Sequence, residues 1–181
     1  MSNRLKTIVL SALGAALVFG GITYTSCKPD KCKEIACAFT GTCVEGVCYC
    51  ATGYEGTQCE KLIRAKFTGP WTALESGTLT LTEEYALDVF EGAGINQIKI
   101  QNFNNRFGPP FDVMGYVSND TLYIPRQGVD GKIVEGRGYL VPSKYYQQHG
   151  DMIVHYYVYD SLTNKTNDFG WDHGKPSEWV K

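Results

Sequence analysis

All seven cysteines of this 181-residue chain fall between Cys27 and Cys59, and the 122 residues that follow contain none. A stretch this short cannot bury enough apolar surface to fold unaided, so crosslinks or a bound metal must supply its order. Crosslinks of this density form in an oxidising compartment outside the cytoplasm. A zinc site is the rival reading, but export and the single residue between Cys48 and Cys50 argue against it. The formal charge of -2 and pI near 5.9 give no electrostatic case for nucleic acid.

Upstream of the cluster, Arg4 and Lys6 precede the uncharged run IVLSALGAALVFGGI, Ile8 to Ile22. That run has the length of a signal-peptide core and falls short of the roughly 20 residues of a spanning helix. It leads into Tyr24-Thr25-Ser26-Cys27, which resembles the lipobox of bacterial lipoproteins, although Tyr24 stands where Leu is usual. The resemblance implies that residues 1–26 are a signal peptide and that Cys27 is acylated, palmitate being a typical chain. Parity points the same way, because removing Cys27 leaves six cysteines, an even set that can close completely. An uncleaved N-terminal anchor is the alternative, and both readings give an exported, membrane-held chain. Residues 27–31 then form a tether. Lys28 follows the cysteine where Asp would imply inner-membrane retention, so the resemblance implies the outer membrane. The charged stretch Lys28-Pro29-Asp30-Lys31 loosely resembles a surface-export signal, which would expose the protein on the cell surface.

Residues 32–60 have the spacing Cys32-x4-Cys37-x5-Cys43-x4-Cys48-x-Cys50-x8-Cys59. Six cysteines alone allow fifteen pairings. The segment from Cys48 to Cys59 fits C-x-C-x-x-G-aromatic-x-G-x-x-C, with Gly53, Tyr54 and Gly56 in place, and here the chain resembles the EGF-like family. The resemblance implies Cys32–Cys43, Cys37–Cys48 and Cys50–Cys59. Glu45-Gly46 reads as a hairpin turn, and Tyr54 as a small apolar cap. Only Asp30 matches the acidic positions of calcium-binding EGF modules, so neither calcium nor another metal or cofactor is expected.

From residue 61 onward, period-two segments recur between turn signals. They include Thr78 to Thr82, then Tyr85, Leu87 and Val89, and then Ile98 and Ile100. Further segments carry Phe111, Val113 and Val117, followed by Leu122 and Ile124. A long strand follows Asp130-Gly131, with Val134, Gly136, Gly138 and Leu140 alternating with Ile133, Glu135, Arg137 and Tyr139. The last is MIVHYYVY, with Met152, Val154, Tyr156 and Val158 on one side. With a segment near Phe67–Ala73, this predicts about eight short antiparallel strands over residues 61–181, forming a small barrel or a β-sandwich. The Gly136/Gly138 pair suits strong coiling or a close backbone approach. Phe67-Thr68-Gly69-Pro70-Trp71 resembles the Gly-x-Trp opening of lipocalin-like (calycin) barrels, whose Trp plugs one end. Lys61-Leu62-Ile63-Arg64 offers no Gly/Ser linker, so the two regions are expected to abut.

No catalytic constellation emerges. With six cysteines paired and Cys27 acylated no thiol is free, and no G-x-S-x-G, H-E-x-x-H or P-loop occurs. Glu75, Glu83 and Glu84 read as solvated loop carboxylates. His149 falls at a hairpin turn, His155 on a solvent-facing strand face, and His173 beside Asp172 in a tail without a third ligand. Surface aromatics are the stronger signal, because Tyr and Trp present rigid, amphipathic contact area. Trp71, Tyr139, His155, Tyr157, Tyr159 and Trp171 are the candidate contacts to a ligand or partner, and Tyr145, Tyr146 and Trp179 add to the excess. Asp120-Thr121-Leu122 and Asp160-Ser161-Leu162 resemble acceptors for O-glycans on exported bacterial proteins, at Thr121 and Ser161. The reading is a non-enzymatic envelope lipoprotein that binds a protein or glycan partner. Its alternatives are a lipocalin-like carrier of an apolar ligand, a structural subunit of a surface complex and, last, an envelope hydrolase.

Overall fold

The computed structural model describes residues 30–142 and 150–181. Cys27, Tyr145, Tyr146 and His149 lie outside the described residues. The first region is a disulfide-rich unit with Cys32–Cys43, Cys37–Cys48 and Cys50–Cys59 joined, Cα atoms 5.2–5.8 Å apart. These are the pairs that the EGF resemblance implies. Strands β1 (Thr42–Val44) and β2 (Val47–Tyr49) form a hairpin whose turn, Glu45-Gly46, has φ of 51° and 90°. A two-residue turn with both φ positive matches the right-handed twist of the strands it joins. β3 (Tyr54–Glu55) and β4 (Lys61–Leu62) make a second, minimal hairpin. The Tyr54 ring stacks on Phe39 at 4.6 Å, although Phe39 stays 53% exposed. Burial in this region is confined to Gly53 and Cys59, so the crosslinks stand in for a core.

A 3-10 turn over Ile63–Lys66 leads from β4 into the second region. The strands there are β5 (Gly69–Glu75), β6 (Glu83–Glu91), β7 (Gln97–Gln101) and β8 (Val113–Ser118). They are followed by β9 (Thr121–Val129), β10 (Lys132–Val141), β11 (Asp151–Asp160), β12 (Lys165–Phe169) and β13 (Ser177–Val180). Each pairs antiparallel with the next from β5 to β11, and β13 pairs with both β11 and β5, closing an eight-stranded up-and-down barrel. The fold is a barrel and not a sandwich, compatible with the lipocalin-like expectation. β12 lies on the same edge of β11 as β13 but against its other half, with Tyr157 opposite Asp168 and Val154 opposite Ser177. Together β12 and β13 make one stave, interrupted by a loop over residues 170–176.

Period-two alternation puts one face of every stave inside. Trp71 and Ala73, Tyr85, Leu87 and Val89, and Met152, Val154 and Tyr156 all point inward. Ile98, Ile100, Val113, Val154, Tyr156 and Trp179 have zero exposure, so none of them borders a void large enough to admit water. These side chains pack the interior where they meet, one of the two arrangements that eight strands allow, the other being a small ligand cavity. Gly136 faces Tyr156 across the β10–β11 ladder, and a Cβ there would lie 2.6 Å from the Tyr156 Cβ. The close approach expected of this glycine is therefore real, and the β9–β10 register slips between Val134 and Gly136.

Several expectations fail, among them the loop placement of Glu83 and Glu84, which are exposed residues of β6. Thr78 to Thr82 is not a strand but a turn, with Leu79 57% and Leu81 88% exposed. Alternation forms a stave only where one face finds a core. Here β12 holds the turn by mixed bonds instead, Leu79 N–H donating to the Asn167 side-chain Oδ1 at 2.8 Å and the Asp168 backbone N–H to Thr78 Oγ1 at 3.1 Å. Glu75 is not a solvated loop residue, because it continues the inward phase of Trp71 and Ala73 and is 5% exposed.

The two regions do abut. Ile63 N–H donates to Gly53 carbonyl, Ile95 of the β6–β7 turn packs over Gly53, and Ile63 and Phe67 join the barrel core. Lys66 Nζ bridges Glu55 at 2.7 Å and Asp120 at 2.6 Å. Partial burial pulls its pKa down, but the bonds to Asp120 and Glu55 outweigh that and hold it above the usual lysine value.

Candidate functional site

The outward faces of β9, β10 and β11 carry the aromatic side chains. Register sets them in cross-strand rows. Tyr116, Tyr123, Arg137 and His155 are successive partners across β8 to β11, with the Tyr116 and Tyr123 rings stacked at 4.9 Å. In the next row Glu135 faces Tyr157, which faces Asp168, and beyond it Ile133 faces Tyr159, which faces Thr166. Tyr139 pairs with Ile153 on the other side of the Arg137 row.

The loop between β12 and β13 folds back over this face and sets Trp171 on it. Asp168 is the anchor, accepting the Trp171 N–H at 2.7 Å on Oδ1 and the Asp172 N–H at 3.1 Å on Oδ2. Gly170 makes the turn with φ +78, and a Cβ there would lie 2.7 Å from Pro176 N, so no side chain fits. His155 Nδ1 donates to the Gly170 carbonyl at 2.7 Å, which fixes the loop to β11. The Trp171 ring is held on two sides, with the Arg137 guanidinium 5.6 Å from its centroid and the Tyr157 ring at 5.9 Å in edge contact.

Between Trp171 and the β9–β10 strands runs a groove of about 590 Å3, lined by Arg126, Glu135, Tyr157, Tyr159, Thr166, Asp168, Trp171 and Asp172. Within it, Arg126 donates to the Tyr157 hydroxyl, which donates to Glu135 Oε2 at 2.7 Å. Burial first, and then the Glu135 carboxylate, raise the Tyr157 pKa, so the hydroxyl stays protonated and able to donate. Asp172 is exposed, and its carboxylate has no ion-pair or hydrogen-bond partner among the described residues.

No protein-family model matches the chain, and no curated protein matches it.

Tyr139, His155, Tyr157, Tyr159 and Trp171 therefore share one outer face. Trp71 does not join them. It sits in the core at 2% exposure, its Nε1 donating to Phe67 carbonyl at 2.7 Å, because the inward phase of β5 begins with it, and Trp179, also expected at the surface, is fully buried on the inward face of β13. His173 is exposed, and no cluster of three His, Cys, Asp or Glu side chains in metal-holding geometry occurs among the described residues. Thr121 is half-buried at the start of β9, and Ser161 is exposed in the turn after β11, its hydroxyl donating to Gly131 carbonyl at 3.2 Å. Sequence reasoning missed Tyr116, Tyr123, Arg126, Glu135 and Asp168. The first two were within reach, since Tyr123 lies between the inward Leu122 and Ile124.

A second polar cluster is internal. Glu75 Oε1 accepts from the Tyr85 and Tyr156 hydroxyls, each at 2.8 Å, and from Asn104 Nδ2 at 3.0 Å. Its Oε2 accepts from Ser177 Oγ at 2.6 Å, and Ser177 Oγ accepts from Trp179 Nε1. Burial drives both tyrosine pKa values far up, with the carboxylate reinforcing the shift. A carboxylate already satisfied by four donors holds the barrel together and is no free base.

Proposed function

We propose that the chain is an envelope lipoprotein, acylated at Cys27 and held at the outer membrane, that binds a protein or glycan partner without chemistry. The EGF-like module serves as a short stalk, and the lipocalin-like barrel presents the outer face of β9 to β11. The observation that carries this reading is Trp171, held upright beside an open groove by Asp168, Arg137 and Tyr157. A ring fixed in advance loses little conformational freedom on contact, which is what a binding surface needs. The lipid anchor rests on the sequence before Cys27. The packed interior counts against the carrier alternative, because Met152, Val154 and Tyr156 leave no space beside them.

Photo-crosslinking in the native membrane tests the contact face. A photoreactive residue at Tyr159 is expected to capture a partner, whereas one at Phe90, on the outward face of β6, is not. Equal capture at both positions, or at neither, overturns the assignment of the face. Intact mass of the membrane-extracted protein tests the anchor, which requires a chain that begins at Cys27 and carries acyl groups.

A further inference from the structure

We infer that the groove beside Trp171 is a carbohydrate site that takes an uncharged oligosaccharide. The inference rests on the proposed contact face and names its ligand class.

Three features of the groove select this ligand. Its lining carries three aromatic residues, Tyr157, Tyr159 and Trp171, and no Leu, Ile, Val or Met. Flat rings of this kind match the C–H faces of pyranoses. Secondly, β10 and β11 are paired on both sides, and β12, the end strand of the sheet, is bonded to Thr78 at Asp168 on its far side. An extended peptide could therefore not add itself as a strand to β10 or β11, which removes main-chain capture on that wall of the groove. Thirdly, the lining holds three carboxylates, Glu135, Asp168 and Asp172, against the single guanidinium of Arg126. Phosphates, uronates and acidic peptides are repelled by that balance.

The polar groups divide into those that build the groove and those left for a ligand. Asp168 is spent on the amides of residues 171 and 172, and Glu135 on Tyr157. Asp172 and Thr166 remain, an acceptor and a two-way hydroxyl facing the aromatic wall. Sugar hydroxyls donate to the first and pair with the second while the ring lies on Trp171. At about 590 Å3 the groove falls within the roughly 300–1,000 Å3 of small-molecule sites.

The test uses the full chain, extracted from its membrane in detergent, and four uncharged hexasaccharides: cellohexaose, maltohexaose, mannohexaose and chitohexaose. Tetragalacturonate is the anionic control, and calorimetry is the readout. Saturable binding of at least one uncharged probe is expected, with none of the uronate. Trp171→Ala should weaken that binding about tenfold or more, the effect of losing one stacking platform. Asp172→Asn, a surface change that leaves the fold bonds in place, should weaken it several-fold and keeps the test valid if the tryptophan variant misfolds. No binding by any uncharged probe, preference for the uronate, or binding unchanged in both variants overturns the inference. If no sugar binds while Tyr159 crosslinks to a protein in the native membrane, the sugar site falls and the contact face stands. If both fail, the proposed function falls with it.

Discussion

The disulfide-rich region and the barrel solve the same problem by opposite means. Residues 32–60 bury almost nothing and are closed by three covalent links. The barrel holds no cysteine and is filled by side chains at near-zero exposure, with Trp71, Trp179 and Tyr156 the largest. In the first region the folded state gains little by contact, and order comes from restricting the unfolded chain. In the second, apolar burial and hydrogen bonding around Glu75 supply the stability directly. The chain thus joins a unit whose stability depends on redox state to one whose stability does not.

Reduction breaks the comparison most sharply. Each link closes a loop of 9 to 11 residues in sequence separation and contributes on the order of 2–3 kcal/mol, more in sum than so small a unit can spare. Thiol treatment should therefore leave residues 32–60 protease-sensitive and fast in hydrogen exchange while barrel amides stay protected. Barrel protection lost in parallel would show that the two regions fold as one.

Glu75→Ala is the counterpart inside the barrel. It removes the acceptor of the Tyr85, Tyr156 and Asn104 donors and of the Ser177 hydroxyl inside the barrel, and should cost roughly 3 kcal/mol or more in denaturant unfolding. The disulfide region should keep its exchange protection in this variant. An effect below about 1 kcal/mol, on the scale of a surface change, would mean that water reaches the site.

The smallest effect is spectroscopic. Burial raises the pKa of Tyr85 and Tyr156, so the fold favours their neutral hydroxyls. The stability they contribute is intact below the ordinary tyrosine value of about 10 and declines as pH rises above it. Phenolate absorbance should show two tyrosines ionising only when the barrel unfolds, and Tyr85→Phe should remove one of the two.

Much of the barrel is legible in the order of its residues. Inward residues of β6, β7 and β11 follow from strict period two, and so does the outward set Tyr139, His155, Tyr157 and Tyr159. β12 and β13 are not legible in this way. Lys165–Phe169 is mostly polar and Ser177–Val180 only four residues long, and each is a strand because β11 offers an edge to it. Thr78 to Thr82 shows the converse, a clean alternation with no face to bury. The charge of Glu75 points to solvent, although its phase relative to Trp71 places it inside. The position of Trp171 depends on two bonds from Asp168 and on the turn at Gly170, and neither leaves a periodic trace.

The interrupted stave has a consequence for how such a protein can change. Because β12 and β13 are separately locked to β11, the positions Trp171, Asp172, His173 and Lys175 between them can change without disturbing the register on either side, whereas Gly170 cannot. The surface that this loop presents is thereby uncoupled from folding. The barrel is a fixed chassis, and change can collect on a few loop residues while the rest of the sequence stays as it is.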